Sequence, residues 1–337
     1  MQDIKSFSPK ELESIIGKWG MPKFHSRQVL DWIYQKGITD FAKMSNLPQG
    51  LRDKLKEYFY ILGAKEIRAR KSSDGTEKLL LELKDKELVE CVKIPAQRWI
   101  TGCVSTQVGC KFACKFCASG VAGFKRNLTA AEILDEVLYL NREKQLTRIV
   151  FMGTGEPLDN YDNVLKAVRI INADYAFNIG ARRITISTCG IIPGIKRLAE
   201  ECLQIELSIS LHAADEALRS KILPVNKIYP IAKLIPACKD YIQQTNRQVT
   251  FEYVLIKGLN SSRASAAKLS RLLKGLKLAK VNLIPANPVP QLGVVAAEKE
   301  EIRAFRDYLI QDGVNVTLRK PRGEDIEAAC GQLLTTE

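Results

Sequence analysis

Cys110, Cys114 and Cys117 stand in a C-x3-C-x2-C arrangement in a chain of 337 residues with nine cysteines and only two histidines, His25 and His212. Thiolates are soft ligands and select iron–sulfur chemistry or zinc over hard cations. A structural zinc site takes four ligands, and no fourth lies at a usual spacing here. Three thiolates with one position left open suit a [4Fe–4S] cluster whose last iron can bind a substrate. The bland alternative is a set of free buried cysteines. It fits less well, because Cys91 and Cys103 crowd into the same region and the odd total argues against a disulfide scaffold. Two histidines leave little material for a histidine-rich metal site or a histidine-dependent triad.

The elements that must position these cysteines are legible in the hydrophobic periodicity. Residues 8 to 60 read as mostly helical. Ser8, Pro9 and Glu11 form a start signal with a capping box, and Leu12, Ile15 and Ile16 follow on one face. A second helix runs from Ser26 to Lys36 with Val29, Trp32 and Ile33 as its stripe, ended by Gly37. A third spans about Leu51 to Tyr60. This reads as a small helical domain packed by its own aromatics rather than one that contacts RNA directly. The period then changes. Ile67–Lys71, Lys78–Leu83 and Leu88–Ile94 read as short strands, with Asp74-Gly75 as a hairpin turn. From about residue 99, strands alternate with helices. The strands are Trp99–Val104, Ile149–Met152, Arg183–Ser187, Ile205–Leu211, Val249–Ile256 and Val281–Ile284, with Val314–Leu318 as a late addition. Thr129 and Glu132 form a capping box for a helix whose Ile133, Leu134, Val137 and Leu138 share one face. The alternation is an α/β layout with parallel strands.

Composition bounds the rest. The 46% hydrophobic content supports one large core with a small appendage. No run reaches the roughly 18 apolar residues of a membrane span, and the polar start MQDIKSFSPKELE lacks the order of a secretory signal. A reducing, cytoplasmic setting is the expectation. The net charge is +13. Residues 91 to 131 carry Lys93, Arg98, Lys111, Lys115, Lys125 and Arg126 without an acidic residue. Residues 253 to 297 carry Lys257, Arg263, Lys268, Arg271, Lys274, Lys277 and Lys280, again without one. Either these are ordinary solvated faces or they form a phosphate-facing rim around a site that accepts RNA.

The C-x3-C-x2-C pattern with Phe116 before its last cysteine resembles the radical SAM superfamily. The surrounding motifs narrow the resemblance: Phe24-His-Ser-Arg-Gln-Val-Leu-Asp-Trp-Ile-Tyr34, Cys103-Val-Ser-Thr-Gln-Val-Gly-Cys110, Asn127-Leu-Thr-Ala, Gly153-Thr-Gly-Glu-Pro-Leu158, Ser210-Leu-His212, Asn282-Leu-Ile-Pro-Ala-Asn-Pro288 and Arg322-Gly-Glu-Asp-Ile-Glu-Ala-Ala-Cys-Gly-Gln-Leu333. Together they are similar to the RlmN family of RNA adenine C2-methyltransferases, over most of the chain.

The resemblance implies a radical SAM partial (β/α)6 TIM-like barrel from residue 99 to 337, an N-terminal helical domain over 1–62 and a short β-rich extension over 63–98. It implies a [4Fe–4S] cluster on Cys110, Cys114 and Cys117, and S-adenosylmethionine (SAM) held by Gly155, Glu156, Ser187, Ser210, Leu211, His212 and Asn287. It implies that one SAM methylates Cys330 and that a second is cleaved to a 5'-deoxyadenosyl radical. That radical takes hydrogen from the methyl group, the resulting methylene adds to adenine C2, Glu90 abstracts a proton, and Cys103 attacks the Cys330 sulfur to release product and leave a disulfide. Such a route meets a chemical need, since adenine C2 is an electron-poor aromatic carbon and a poor target for a methyl cation. Taken alone, Gly155 reads equally as a turn glycine, His212 as a structural histidine, Glu90 as a charged strand residue and Cys330 as an incidental thiol. The implied substrates are an adenosine of the peptidyl transferase region of 23S rRNA and the adenosine 3' of the anticodon in tRNA. An electron donor such as flavodoxin is the implied redox partner.

Two rival readings are weighed. The Cfr-type sister family methylates C8 of the same rRNA adenosine. Pro157 and the Arg322-Gly-Glu-Asp segment favour the C2 group, while Thr154 departs from the methionine expected there. The other rival is an inactive RNA-binding iron–sulfur protein, against which the presence of both Cys103 and Cys330 argues.

Overall fold

Ten strands hydrogen-bond into one sheet in the computed structural model, which describes residues 1–121, 123–143, 145–289 and 292–333. The chain enters through β1 (Gln2–Asp3), α1 (Pro9–Lys18), α2 (His25–Tyr34), α3 (Gln49–Tyr58) and β2 (Phe59–Tyr60). The start of α1 is as the sequence predicts. Glu11 N donates to Ser8 Oγ at 3.3 Å, and Ser8 N donates to Glu11 Oε2 at 2.7 Å. Leu12, Ile16, Val29, Leu30, Ile33, Leu51 and Leu55 are all fully buried. Phe7 packs edge-on against Phe59 with centroids 5.3 Å apart, and Trp19 makes a tilted contact with the same ring at 6.2 Å. β1 and β2 pair in parallel and close the unit.

The next three strands, β3 (Lys65–Lys71), β4 (Glu77–Glu82) and β5 (Leu88–Pro95), are antiparallel. Asp74 and Gly75 make the first turn, and Gly75 takes the left-handed φ of +84° that its missing Cβ permits. The strands continue into the main sheet, because β5 pairs antiparallel with β6 (Ile100–Cys103). After the small ribbon β7 (Gln107–Gly109) and β8 (Phe124–Asn127), the chain alternates through α4 (Ala130–Leu140), β9 (Arg148–Phe151), α5 (Tyr161–Asn172), β10 (Ile184–Thr188), α6 (Ile192–Glu200) and β11 (Glu206–Ser210). It goes on through α7 (Glu216–Ile222), α8 (Ile231–Thr245), β12 (Val249–Leu255), α9 (Arg263–Leu273), β13 (Ala279–Pro285), α10 (Lys299–Gln311) and β14 (Val316–Leu318).

From β6 to β14 the pairing is parallel throughout, in the order β6-β9-β10-β11-β12-β13-β14. Six strands each lead into helix before the next, and β14 follows as a seventh. The two edge strands, β3 and β14, do not pair, so the barrel is partial. Its strand carboxyl ends face one side, where βα folds keep their chemistry.

The one-faced expectation for α4 needs correction. Nine of its residues are buried, including Asp135 and Glu136. Ile133, Leu134, Val137 and Leu138 face the core as expected, but the opposite side is covered by the N-terminal unit. Lys5 Nζ lies 3.0 Å from Asp135 Oδ1, and Gly63 N and Ala64 N donate to Asp135 Oδ2. A helix covered on all sides buries even its charges, which it then has to pair.

Candidate active site

A cavity of about 160 Å³ opens at the carboxyl ends of the parallel strands. Cys110, Cys114 and Cys117 line it from the loop between β7 and β8. That loop is shaped by its own backbone. Cys110 N donates to Gly123 O at 2.9 Å, Cys117 N donates to Cys114 O at 3.2 Å, and Ala113 adopts a left-handed φ of +46°. Burial pushes the Cys110 thiol up to about 12 and raises those of Cys114 and Cys117. Removing solvent disfavours each thiolate unless a cation or metal replaces the lost hydration. Among the described residues no three ligating groups are arranged around a single metal ion. Cys110, Cys114 and Cys117 line one cavity and would suit a [4Fe–4S] cluster, which soft thiolates favour.

The strand ends supply the other walls. Gly155, Glu156, Ser187, Ser210, His212 and Asn287 all line the cavity. Leu211 does not. It is fully buried, its N–H donates to Glu252 O and its carbonyl accepts from Arg219 Nε, so it fixes its neighbours from behind. The Gly155 backbone has a φ of +104°, and a Cβ there would lie 2.6 Å from Gln107 Cβ. Packing against β7 therefore requires the glycine. Glu156 is buried, its Oε1 accepting from Leu158 N at 3.0 Å and its Oε2 from Cys189 N at 2.7 Å. Burial raises its carboxyl, and those hydrogen bonds oppose the rise.

His212 sits in a left-handed φ of +54°. Burial, reinforced by Arg219, lowers its ring to about 3 and keeps it neutral. Nδ1 accepts from Val254 N at 3.1 Å, which places the ring proton on Nε2 and makes that edge a donor. Phe116 packs edge-on against the ring, with centroids 4.6 Å apart. Asn287 Nδ2 donates to Cys330 O at 2.8 Å, while its buried Oδ1 has no partner among the described residues. A buried acceptor left unmade calls for a donor from a ligand. Orphaned oxygen, buried carboxylate, neutral donor ring and three thiols form a donor set that fits SAM beside an iron–sulfur cluster.

Cys330 reaches the site on the C-terminal segment, which is tied across the loop between β7 and β8 that carries Cys110, Cys114 and Cys117. Ala118 N donates to Gly331 O at 2.7 Å and Ser119 Oγ to Leu333 O at 2.8 Å. Cys330 lines the main cavity and also a smaller one of about 30 Å³, where Cys103 lies. Met152, Ile284, Asn287 and Arg319 are the other walls common to both. Both thiols are free, and burial raises that of Cys103 to about 12. Glu90 lines neither cavity. It is buried on β5, on the same face as Cys103 by register, and pairs with Lys78 Nζ at 2.9 Å.

Three contributors escape a reading of the sequence. Glu252 lines the cavity from β12 and accepts from Asn282 Nδ2 at 2.7 Å. A lone carboxylate within the apolar run Val249–Leu255 was its available signal. Arg319, just past β14, borders both cavities, and Cys189 lines the larger, yet neither stands out from other residues of its type.

The basic stretches look different in space. In the first, four of six cations meet carboxylates from elsewhere: Lys93 with Glu143, Lys111 with Asp159, Lys125 with Glu87, and Arg126 with Asp85 and Glu132. In the second, Lys257 pairs with Glu298 and Lys268 with Asp215. Arg271, Lys274, Lys277 and Lys280 lie around the end of α9 and the start of β13, at the strand amino ends, away from the cavity. The expectation of a phosphate-facing rim does not hold for that group, because α9 carries the chain back to the far end of the barrel.

Comparison with known proteins follows the same division. The radical SAM superfamily model matches residues 104–269, and the ribosomal RNA large subunit methyltransferase N-terminal domain model matches residues 2–61. The chain is 48% identical over 339 aligned positions to a probable dual-specificity RNA methyltransferase RlmN of Dictyoglomus turgidum, covering 99% of this chain and 97% of that one. It is 43% identical to the protein of the same name from Clostridium novyi, covering 99% and 98%. The crystal structure of a radical SAM methyltransferase from Sphaerobacter thermophilus superposes with a TM-score of 0.95 at 42% identity, covering 98% of this chain and 99% of that one.

Proposed function

The chain belongs to the radical SAM RlmN/Cfr family of RNA methyltransferases, and from that premise we propose that it methylates C2 of an adenosine in the peptidyl transferase region of 23S rRNA, and of the adenosine 3' of the anticodon in tRNA, through a methyl group carried on Cys330. The observation that carries this reading is the place of Cys330 in the wall between two cavities, one bounded by the three cluster cysteines and the other by Cys103.

When bound, a [4Fe–4S] cluster and SAM supply a carbon-centred radical able to remove a hydrogen atom from a methyl group. Cys110, Cys114 and Cys117 hold the cluster in this reading. Glu156, Ser187, Ser210, His212 and Asn287 hold SAM, with Gly155 and Leu211 shaping the backbone around it. Asn287 serves two purposes, offering Oδ1 to the ligand and fixing the Cys330 carbonyl through Nδ2. Cys103 and Cys330 line the small cavity together, so in this reading a Cys103–Cys330 disulfide forms as the Cys330 S–CH2 bond breaks, the electron pair staying with the methylene carbon, which takes up a proton to become the product methyl group. Glu90, on the face beneath Cys103, is the proposed proton acceptor. The target base must leave its stack to enter, and the net charge of +13 favours a polyanionic partner. No helix among the described residues is long and apolar enough to cross a membrane, and the cytoplasm is the proposed setting for this RNA chemistry. A small one-electron carrier such as flavodoxin is the proposed reductant.

The test is anaerobic reconstitution with iron and sulfide, then SAM and reductant with a 23S rRNA fragment or tRNA, and mass spectrometry of the nucleosides. A 2-methyladenosine signal supports the reading, and the RNA that gives it defines specificity. An 8-methyladenosine product would move the chain to Cfr-type chemistry. Release of deoxyadenosine with neither RNA methylated would mean another substrate.

A further inference from the structure

Arg219, on α7, is fully buried, and among the described residues its hydrogen bonds all go to neutral oxygens. Nη2 donates to Cys189 O at 2.7 Å and Ser210 O at 3.1 Å, Nε to Leu211 O at 3.1 Å, and Nη1 to Asn226 Oδ1 at 2.7 Å and Tyr229 O at 3.5 Å. The carboxylate in this network, Glu216, accepts from Asn226 Nδ2 and Ala232 N rather than from the guanidinium. Carbonyl dipoles replace part of the lost hydration and Glu216 attracts the charge from beyond Asn226, but a buried cation with no carboxylate in contact remains costly. A fold holding such a charge gains from a further negative group nearby in its working state.

The geometry says where that group lies. Cys189 and Ser210, whose carbonyls Arg219 grips, line the cavity of the three cluster cysteines, and so does Leu223 at the end of α7. Lys115 N, inside the C-x3-C-x2-C loop, donates to Ile222 O at 2.9 Å and ties the loop to the same helix. The guanidinium therefore stands one residue behind the cavity wall. Three thiolates outweigh the positive charge of an oxidised cubane by one, and uptake of one electron raises the excess to two.

We infer that Arg219 is the buried counter-charge of the cluster site and sets the potential at which a cluster on Cys110, Cys114 and Cys117 accepts its electron. The inference rests on the cluster reading above. The electron comes from an external low-potential carrier, and no proton or bond change accompanies it at Arg219. A positive charge beside the site favours the reduced, more negative cluster, so removing it makes reduction harder.

An EPR-monitored redox titration of reconstituted protein tests this. Arg219→Gln should shift the reduction equilibrium at least tenfold toward the oxidised cluster, about 59 mV lower for a one-electron couple. Arg219→Lys, which keeps the charge but breaks the carbonyl clamp, should stay close to the parent. If Arg219→Gln does not fold, the double variant Asn226→Asp with Glu216→Gln brings a carboxylate onto the guanidinium without removing it, and should lower the potential in the same direction. An unchanged potential in a charge-neutralised variant with normal iron content overturns the inference and leaves Arg219 as a clamp. Absence of a [4Fe–4S] signal in the parent protein would overturn the cluster reading itself, a separate outcome.

Discussion

His212 is held neutral by burial and by the nearby Arg219, with a ring pKa of about 3 against an ordinary 6.5. Below pH 6.5 the unfolded chain takes up a proton that the folded ring refuses. This group's contribution to stability is present above that pH and lost progressively as pH falls toward 3, by up to about 1.4 kcal/mol per pH unit. Replacing His212 with Asn should flatten the acid limb of the stability curve, measured by urea unfolding across that range, and an unchanged slope would refute the assignment. Gly155 makes a second residue-scale prediction. Gly155→Ala combines a left-handed backbone with a Cβ pressed onto Gln107, so it should destabilise the protein by roughly 2–6 kcal/mol in the same assay. Residues of this kind were legible only through motifs. The spacing of Cys110, Cys114 and Cys117 announces its chemistry, whereas nothing local distinguishes Arg219, in the run Glu216–Ile222, from a solvent-facing helix residue.

The C-terminal segment shows how elements far apart in sequence build one site. The turn between β3 and β4 grips it. Gly323 N donates to Asp74 Oδ2 at 3.1 Å, and Ser73 N donates to Asp325 Oδ2 at 3.2 Å. Lys78 Nζ on β4 donates to Glu327 O at 3.0 Å. Burial works to raise the Asp74 carboxyl, but hydrogen bonds from Thr76, Gly323 and Ser72 win and bring it down to about 2. Its contribution is thus complete above the ordinary 3.8 and is lost as pH falls toward 2. Asp74→Ala should cost roughly 1–3 kcal/mol and speed hydrogen exchange across residues 322–333 more than in the barrel strands. Equal protection of that segment in both proteins would contradict the account. The alternation of strands and helices was readable because period and length separate the two. The grip of a hairpin on a segment about 250 positions away leaves no periodic trace. Nor does the pairing of β5 with β6, which makes the β-rich segment an extension of the barrel sheet. The acid-free stretches misled for the same reason, since their carboxylate partners arrive from other elements.

At the scale of the whole molecule, the N-terminal unit and the barrel share one hydrophobic core, and their junction buries charge. Lys5 is fully buried, touches Asp3 at 2.8 Å and Asp135 at 3.0 Å, and also donates to Ile61 O. Lys5→Met leaves Asp135 buried without its cation and should cost about 3–5 kcal/mol, whereas Lys5→Met combined with Asp135→Asn, which keeps an acceptor for Gly63 N and Ala64 N, should recover much of that loss. Additive losses in denaturant melts would show that the two charges do not act as a pair. The junction orients a unit matched by a ribosomal RNA methyltransferase N-terminal domain model beside a barrel whose two neighbouring cavities are lined by Cys110, Cys114, Cys117 and Cys330, and by Cys330 and Cys103. The central claim is that the methyl group passes through Cys330. Its most direct test is to incubate the reconstituted enzyme with isotopically labelled SAM, reductant and RNA, then analyse both the peptide containing Cys330 and the RNA nucleosides by mass spectrometry. The account predicts one labelled methyl group on Cys330 and labelled 2-methyladenosine in the RNA, with neither formed by Cys330→Ser. Labelled methyladenosine produced by the Cys330→Ser protein would contradict it.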